Sequence, residues 1–445
     1  GAGLAGSEAA WQLAKRGIRV KLYEMKPQKY TPAHHSEKFS ELVCSNSLRS
    51  DSTSNAVGLL KEEMRRMSSL IMEAADACRV PSGSALAVDR DAFSSYITDK
   101  ILADPMIEYI PAEVASVPEG EITVIATGPL TSKPMADYIA GELGCSGLHF
   151  FDAAAPIVDG DSVDLDIAFF ASRYGKGDAD YLNCPMTREQ YDAFYDALVS
   201  AREAELHDFD REEQGDLTVF EGCMPVEVMA RRGHDTLCYG PLKPRGLKDP
   251  KTGHEPYAVV QLRRDNAEGS IYNLVGFQTH LRFPEQKRVF SMIPALANAE
   301  FVRYGVMHRN TYLNSPGLLD RYYRLITDDR ISFAGQMTGV EGYVESAASG
   351  FLAGVETARR LLGQAPIDFP RETAIGALGL YVSDTTVANF QPMNVNFGIM
   401  PPLGCRIKGK RNKNAELSRR SLEIIDSLRE SVLDGVKEES HEDHH

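Results

Sequence analysis

The sequence has no run of 18 apolar residues, which leaves no candidate for a membrane-spanning helix. It lacks the basic start and apolar stretch of a secretory leader. It has no CxxC pair and no His spacing such as HExxH, so a metal site is not expected. Internal repeats and low-complexity blocks are also missing. The seven cysteines, Cys44, Cys78, Cys145, Cys184, Cys223, Cys238 and Cys405, are odd in number and scattered. That usage fits free thiols in a reducing compartment, so a cytoplasmic location is expected.

Basic residues are outnumbered 48 to 63, a net charge of −15. This argues against a whole surface built for nucleic acid but leaves room for a local basic face. Apolar residues at 43% and charged residues at 25% are ordinary globular values. At roughly 150 residues per domain, 445 residues suggest two or three domains.

What is present begins at once. Gly1-Ala2-Gly3-Leu4-Ala5-Gly6 is a GxGxxG turn, followed by a helical pattern over Ser7–Arg16 and a strand pattern over Ile18–Glu24. That order fits a dinucleotide-binding βαβ unit. Gly1 serves the tight turn, Gly3 admits a pyrophosphate to the backbone, Gly6 lets helix and sheet pack, and Glu24 stands where a carboxylate receives ribose hydroxyls. A glycine-rich turn alone is a weak signal; its place between these elements strengthens it. A sheet of this kind needs a strand ahead of Gly1, which is expected upstream of the numbered residues.

Two later segments bear on the nucleotide. Glu121–Pro129 is a buried-strand pattern ending in Ala126-Thr127-Gly128, and Ile331–Gly339 is a strand ending in a second glycine turn with Gly335 and Gln336. The small-residue helix Val344–Leu362 follows, after Gly342 and Tyr343. A late return to the cofactor resembles the large FAD-binding flavoproteins. The fold class expected is α/β: an FAD-binding Rossmann-like domain, discontinuous over 1–182 and 273–445, with a smaller inserted α/β domain at 183–272. Further helices are expected over Ala56–Ala75, Thr187–Glu205 and Asn414–Val436, and strands over Tyr257–Leu262 and Ile271–Phe277. The polar stretch Tyr30–Ser54 is too long for a mere connection and is expected to be a functional loop.

The segments Gly1–Gly6, Leu42-Val-Cys44-Ser-Asn-Ser47-Leu48, Glu221-Gly-Cys223-Met-Pro225 and Phe333–Gly350 resemble the TrmFO flavoprotein family, the folate-dependent tRNA uracil-5-methyltransferases. The resemblance runs from Gly1 to about the last helix. It implies methylation at C5 of the T-loop uridine of tRNA, with methylenetetrahydrofolate as carbon donor and FAD and NAD(P)H as reductants. A related family, which modifies the wobble uridine with a partner GTPase, shares the flavin segments but not the paired Cys44 and Cys223 contexts. A small-molecule FAD oxidoreductase is the other alternative. No membrane and no obligate protein partner are expected.

Such chemistry needs a thiolate to add to uracil C6, a base for the C5 proton and a hydride source. Cys223 is close in sequence to Arg231 and Arg232, and cations lower a thiol pKa. In the family the cysteine matching Cys223 is the nucleophile and the one matching Cys44 the base. The remaining cysteines read as small buried thiols. The family also implies a histidine stacked on the pterin; His34, His35, His280 and His308 are all open to that role. Tyr343 is either a flavin-packing ring or a core aromatic. For tRNA, Cys405–Arg420 carries a net charge of +6 and Arg231–Lys251 a net charge of +4. Each is either a phosphate-tracking run or a solvated face.

Overall fold

The computed structural model describes the chain except residues 142, 146, 154, 176–177, 205–223, 266–268, 306, 388–389, 391, 406 and 437–445, with the main chain alone at 147–153 and 307–311. Val20–Glu24 pairs in parallel with Ile107–Pro111, and Thr123–Ile125 in parallel with Ile331–Phe333. The strand after residue 330 therefore pairs with one from the first third of the chain. Between these two pairs lies a slot of about 640 Å³, lined among others by Ala9, Leu13, Leu22, Ile107 and Val124.

The helix Leu4–Lys15 packs on the long helix Tyr343–Leu361 through small residues. A Cβ added at Gly350 would lie 2.2 Å from the Ala5 carbonyl oxygen, and one at Gly354 would lie 2.8 Å from Ala9 Cα. Any larger side chain at either glycine would force the helices apart. This packing sets the two helix N-termini side by side, which is what builds the site below.

A second, six-stranded antiparallel sheet runs in the order Phe301–Arg303, Ile157–Asp159, Ile271–Leu274, Ala258–Arg264, Tyr181–Met186, Phe169–Ala171. Its core includes Val158, Leu182, Tyr191, Phe194, Val260 and Phe290, all buried. The sheet thus takes strands from both sides of 183–272.

Several element bounds also differ. Ala56–Ala75 is two helices, Ala56–Arg66 and Leu70–Ala77: Ser68 adopts φ 59°, and the Ser69 hydroxyl caps the second by accepting the Met72 N–H. The helix expected from Thr187 runs Arg188–Val199, with Thr187 and Gln190 forming a capping box. The closing helix starts earlier, at Lys410, and ends at Leu433. Among the described residues, no helix is long and apolar enough to cross a membrane.

Candidate functional site

Gly3 and Gly342 are the N-caps of the two packed helices, and neither helix has a side-chain cap. Their free N–H groups and dipoles favour an anion. Both glycines line one cavity of about 350 Å³, together with Gly1, Ala2, Leu4, Ala5, Glu24, Gly128, Gly335, Gln336 and Tyr343. Of the cofactor residues expected from sequence, only Gly6 stands outside this wall; it lines the neighbouring slot.

The glycines do different things. A Cβ at Gly6 would fall 1.8 Å from the Gly1 carbonyl oxygen, whereas one at Gly3 would meet nothing within 4 Å. Gly6 is therefore a packing requirement, and Gly3 presents bare backbone to open cavity. Gly335 and Gly342 hold φ of 89° and 111°, a region side chains rarely adopt. Glu24 accepts the Ala2 N–H at 2.7 Å and the Lys26 N–H at 3.1 Å. These bonds aim the carboxylate at the cavity and leave lone pairs for hydroxyl donors. Two uncapped helix ends, a glycine cradle open at Gly3 and an oriented carboxylate fit a dinucleotide such as FAD.

Cys44 and Ser45 lie in the same wall. Their N–H groups donate to the Tyr343 hydroxyl at 2.7 and 3.1 Å, and burial, with Cys44 nearby, pushes that phenol's pKa up. The second sheet and the helix Arg90–Ala103 grip this loop. Arg303 donates to the Val43 carbonyl at 2.7 Å, Arg263 to the Ser45 hydroxyl at 2.5 Å and to Asn46 at 3.1 Å, and Arg90 to the Leu42 carbonyl at 2.5 Å. Arg90 is itself held by Asp265 at 2.7 Å.

Cys223 lies outside the described residues. The described residues take up again at Met224, and Val226 N–H donates 2.7 Å to the carbonyl of Gln278, a cavity residue. Arg231, read from sequence as a cation for that thiol, pairs with Glu203 at 2.5 Å. His280 and Arg231 together hold the Glu203 carboxyl down at about 2. Of the histidines, His34 lines the cavity, bonds to the Thr31 hydroxyl at 2.6 Å, and has its pKa lowered by burial. His280 is mostly buried beside Glu203, while His35 binds Glu41 through its N–H. The His308 side chain is not among those described.

Sequence reasoning passed over Arg49 and Glu345. Arg49, at φ 62°, lines the cavity and forms an ion pair with the buried Glu345, which also accepts the Val395 N–H at 3.0 Å. Lys61 is fully buried beneath them, donating to the carbonyls of Leu48 and Arg49 at 2.8 and 3.1 Å; burial draws its pKa down to about 7. The signal for Glu345 was its place in the first turn after Gly342. Nothing local marks Arg49 as its partner.

The family profile described as "Glucose inhibited division protein A" matches residues 1–365. Over 425 residues the chain is 61% identical to a protein of Acetivibrio thermocellus named "Methylenetetrahydrofolate--tRNA-(uracil-5-)-methyltransferase TrmFO", covering 96% of each chain. The chain belongs to the TrmFO family. Relatives of the same name from Lactobacillus delbrueckii subsp. bulgaricus and Bacillus licheniformis are 58% and 57% identical, and the alignments cover 98% and 97% of this chain and 98% of each relative. Among solved structures, Aquifex aeolicus GidA in its form I crystal superposes with a TM-score of 0.70 at 16% identity, over 99% of this chain and 76% of that one. The form II crystal gives 0.69 at 15%, over 99% and 73%. At such identities these two structures bear on the fold, and they carry the α/β, Rossmann-like assignment of this TrmFO-family chain.

Proposed function

We propose that this chain methylates C5 of the T-loop uridine of tRNA, drawing the carbon from methylenetetrahydrofolate and electrons from NAD(P)H through FAD. The observation that carries the reading is the single cavity in which the Cys44 loop faces the glycine cradle, in a chain 57–61% identical to proteins named for this reaction. FAD would lie along Gly1–Ala5, Glu24, Gly128, Gly335, Gln336, Gly342 and Tyr343, and supplies the hydride that makes methylene into methyl. In the same reading the cofactor-binding part is discontinuous, the six-stranded sheet unit is the smaller part, and the protein works in the cytoplasm.

The protein's own groups do the rest. Cys223 adds its thiolate to C6, which makes C5 a nucleophile towards the one-carbon donor. Cys44 then takes the C5 proton as tetrahydrofolate leaves the methylene carbon, and once that carbon is reduced to methyl the Cys223 thiolate leaves C6 as the pyrimidine double bond is restored. The loop-gripping arginines keep Cys44 at a fixed position and add positive charge around it, which favours a thiolate.

The test uses unmodified tRNA, labelled methylenetetrahydrofolate and NADPH. Label is expected at uracil C5, and Cys223→Ser should abolish it while flavin and tRNA binding persist. A tRNA carrying 5-fluorouridine should trap an adduct that maps to Cys223. NADPH oxidation indifferent to tRNA, with no label in RNA, would point instead to a small-molecule oxidoreductase.

A further inference from the structure

A ladder of aromatic rings climbs from the core of the second sheet to the surface. Phe290 is fully buried, and its ring centroid lies 6.5 Å from that of Phe301. Phe301 stacks on Tyr304 at 5.4 Å with 11° between planes, and Tyr304 stacks on Phe283 at 5.0 Å with 16°. Phe283 ends the series and is 50% exposed. One of its faces is against Tyr304, and half of its surface remains open to solvent.

The backbone under this ladder is locked. Gln286, fully buried, donates to the Gly305 carbonyl at 2.7 Å and accepts the Gly305 N–H at 2.8 Å. The pair ties Tyr304 and its neighbours to the helix Phe283–Phe290, which carries the last ring. Arg303, the residue before Tyr304, donates to the carbonyl of Val43, the residue before Cys44. The strand Phe301–Arg303, which carries one ring of the ladder, is therefore tied to the loop that carries a proposed catalytic thiol. Arg282 and Lys287 are exposed on either side of Phe283 along the chain.

A planar, half-exposed ring on a rigid mount, flanked by cations, suits a ligand with flat bases and phosphates. We propose that Phe283 is a stacking platform for an unpaired base of the tRNA substrate. This rests on the tRNA methyltransferase reading. A stacked base contributes affinity through its π-face and little through counterion release, which separates it from a phosphate contact.

The experiment measures binding of unmodified tRNA transcript by fluorescence anisotropy across a salt series, for the wild-type flavoprotein and for Phe283→Ala, Phe283→Leu and Phe283→Trp. The leucine variant keeps apolar cover over Tyr304 and guards against a folding artefact, and flavin content is recorded for each. The expected result is roughly tenfold weaker binding for the alanine and leucine variants, near wild-type binding for tryptophan, and an unchanged salt slope in all three. Affinity within twofold of wild type for the leucine variant would overturn the proposal. So would a raised KM for methylenetetrahydrofolate with tRNA affinity intact, which would assign the platform to the folate. If the wild-type protein itself fails to bind tRNA, the functional reading falls first.

Discussion

The Tyr343 hydroxyl accepts the backbone N–H of Cys44 at 2.7 Å and that of Ser45 at 3.1 Å. One residue at the start of the long helix thus sets the loop bearing a proposed catalytic base. Tyr343→Phe keeps the ring in the cavity wall and removes only the acceptor. Leaving a buried donor unpaired costs about 1–3 kcal/mol. Flavin should be retained, while tRNA methylation falls by about tenfold or more. Steady-state rates and flavin absorbance of the variant check this; an unchanged rate would show that the loop keeps its place without the phenol.

Two glycines of the same turn should fail in different ways. Gly3→Ala places its methyl in open cavity, at φ −74°, so the fold is expected to hold and flavin retention on dilution to weaken. Gly6→Ala drives a methyl against the Gly1 carbonyl at 1.8 Å, and such overpacking costs about 1–3 kcal/mol or more. Its thermal midpoint should fall even with excess FAD present. Thermal melts with and without added FAD, run beside a flavin-release assay, separate the two outcomes.

The glycine turns were legible because each is a local demand: a positive φ or a close approach can be met by one residue type at one position. The grip on the Cys44 loop was not. Arg263 and Arg303 reach it across more than 200 residues, and a single arginine donating to a carbonyl leaves no periodic trace. Two short strands of the second sheet escaped for a related reason. Ile157–Asp159 and Phe301–Arg303 have three residues each, too few for alternation to show. The break at Met67–Ser69 carries no glycine or proline; it appears only in the backbone of Ser68.

The basic run near the C-terminus divides into two sets. Lys408, Lys410, Arg411 and Lys413 are exposed, with no carboxylate partner among the described residues, and Arg406 lies outside that range. Arg419 is instead paired with Glu416 and Glu423, and Arg420 donates to the carbonyls of Pro401 and Pro402. Lys410, Arg411 and Lys413 also crowd the N-terminal end of the closing helix, where the dipole disfavours cations. Alanine at the four free positions should weaken tRNA binding and lower the log–log salt slope by about one unit for each phosphate no longer neutralised. Arg419→Ala should leave the slope alone. A full slope in the fourfold variant would make this run a solvated face.

Glu63 supplies a pH dependence with a definite sign. Its carboxylate is fully buried and joins three helices: it accepts the Ala374 N–H at 2.7 Å, the Ile375 N–H at 2.9 Å and the Ser421 hydroxyl at 2.5 Å. Burial outweighs these bonds and raises its pKa from 4.5 to about 7. Between those values the folded protein holds a proton that the unfolded chain releases. Its contribution is therefore complete below about pH 4.5, declines as pH rises, and is lost above about pH 7. The shift corresponds to roughly 3 kcal/mol. Glu63→Gln cannot ionise, so its stability should fall less than that of the wild type between pH 5 and pH 8, a window chosen to span about that range of titration. Glu356, also raised to about 7 by burial, titrates equally in both proteins and cancels from the difference. Urea midpoints for the two proteins at several pH values within that window provide the measurement. Parallel curves would mean that Glu63 ionises in the folded protein at no cost, and that the three bonds at least offset its burial.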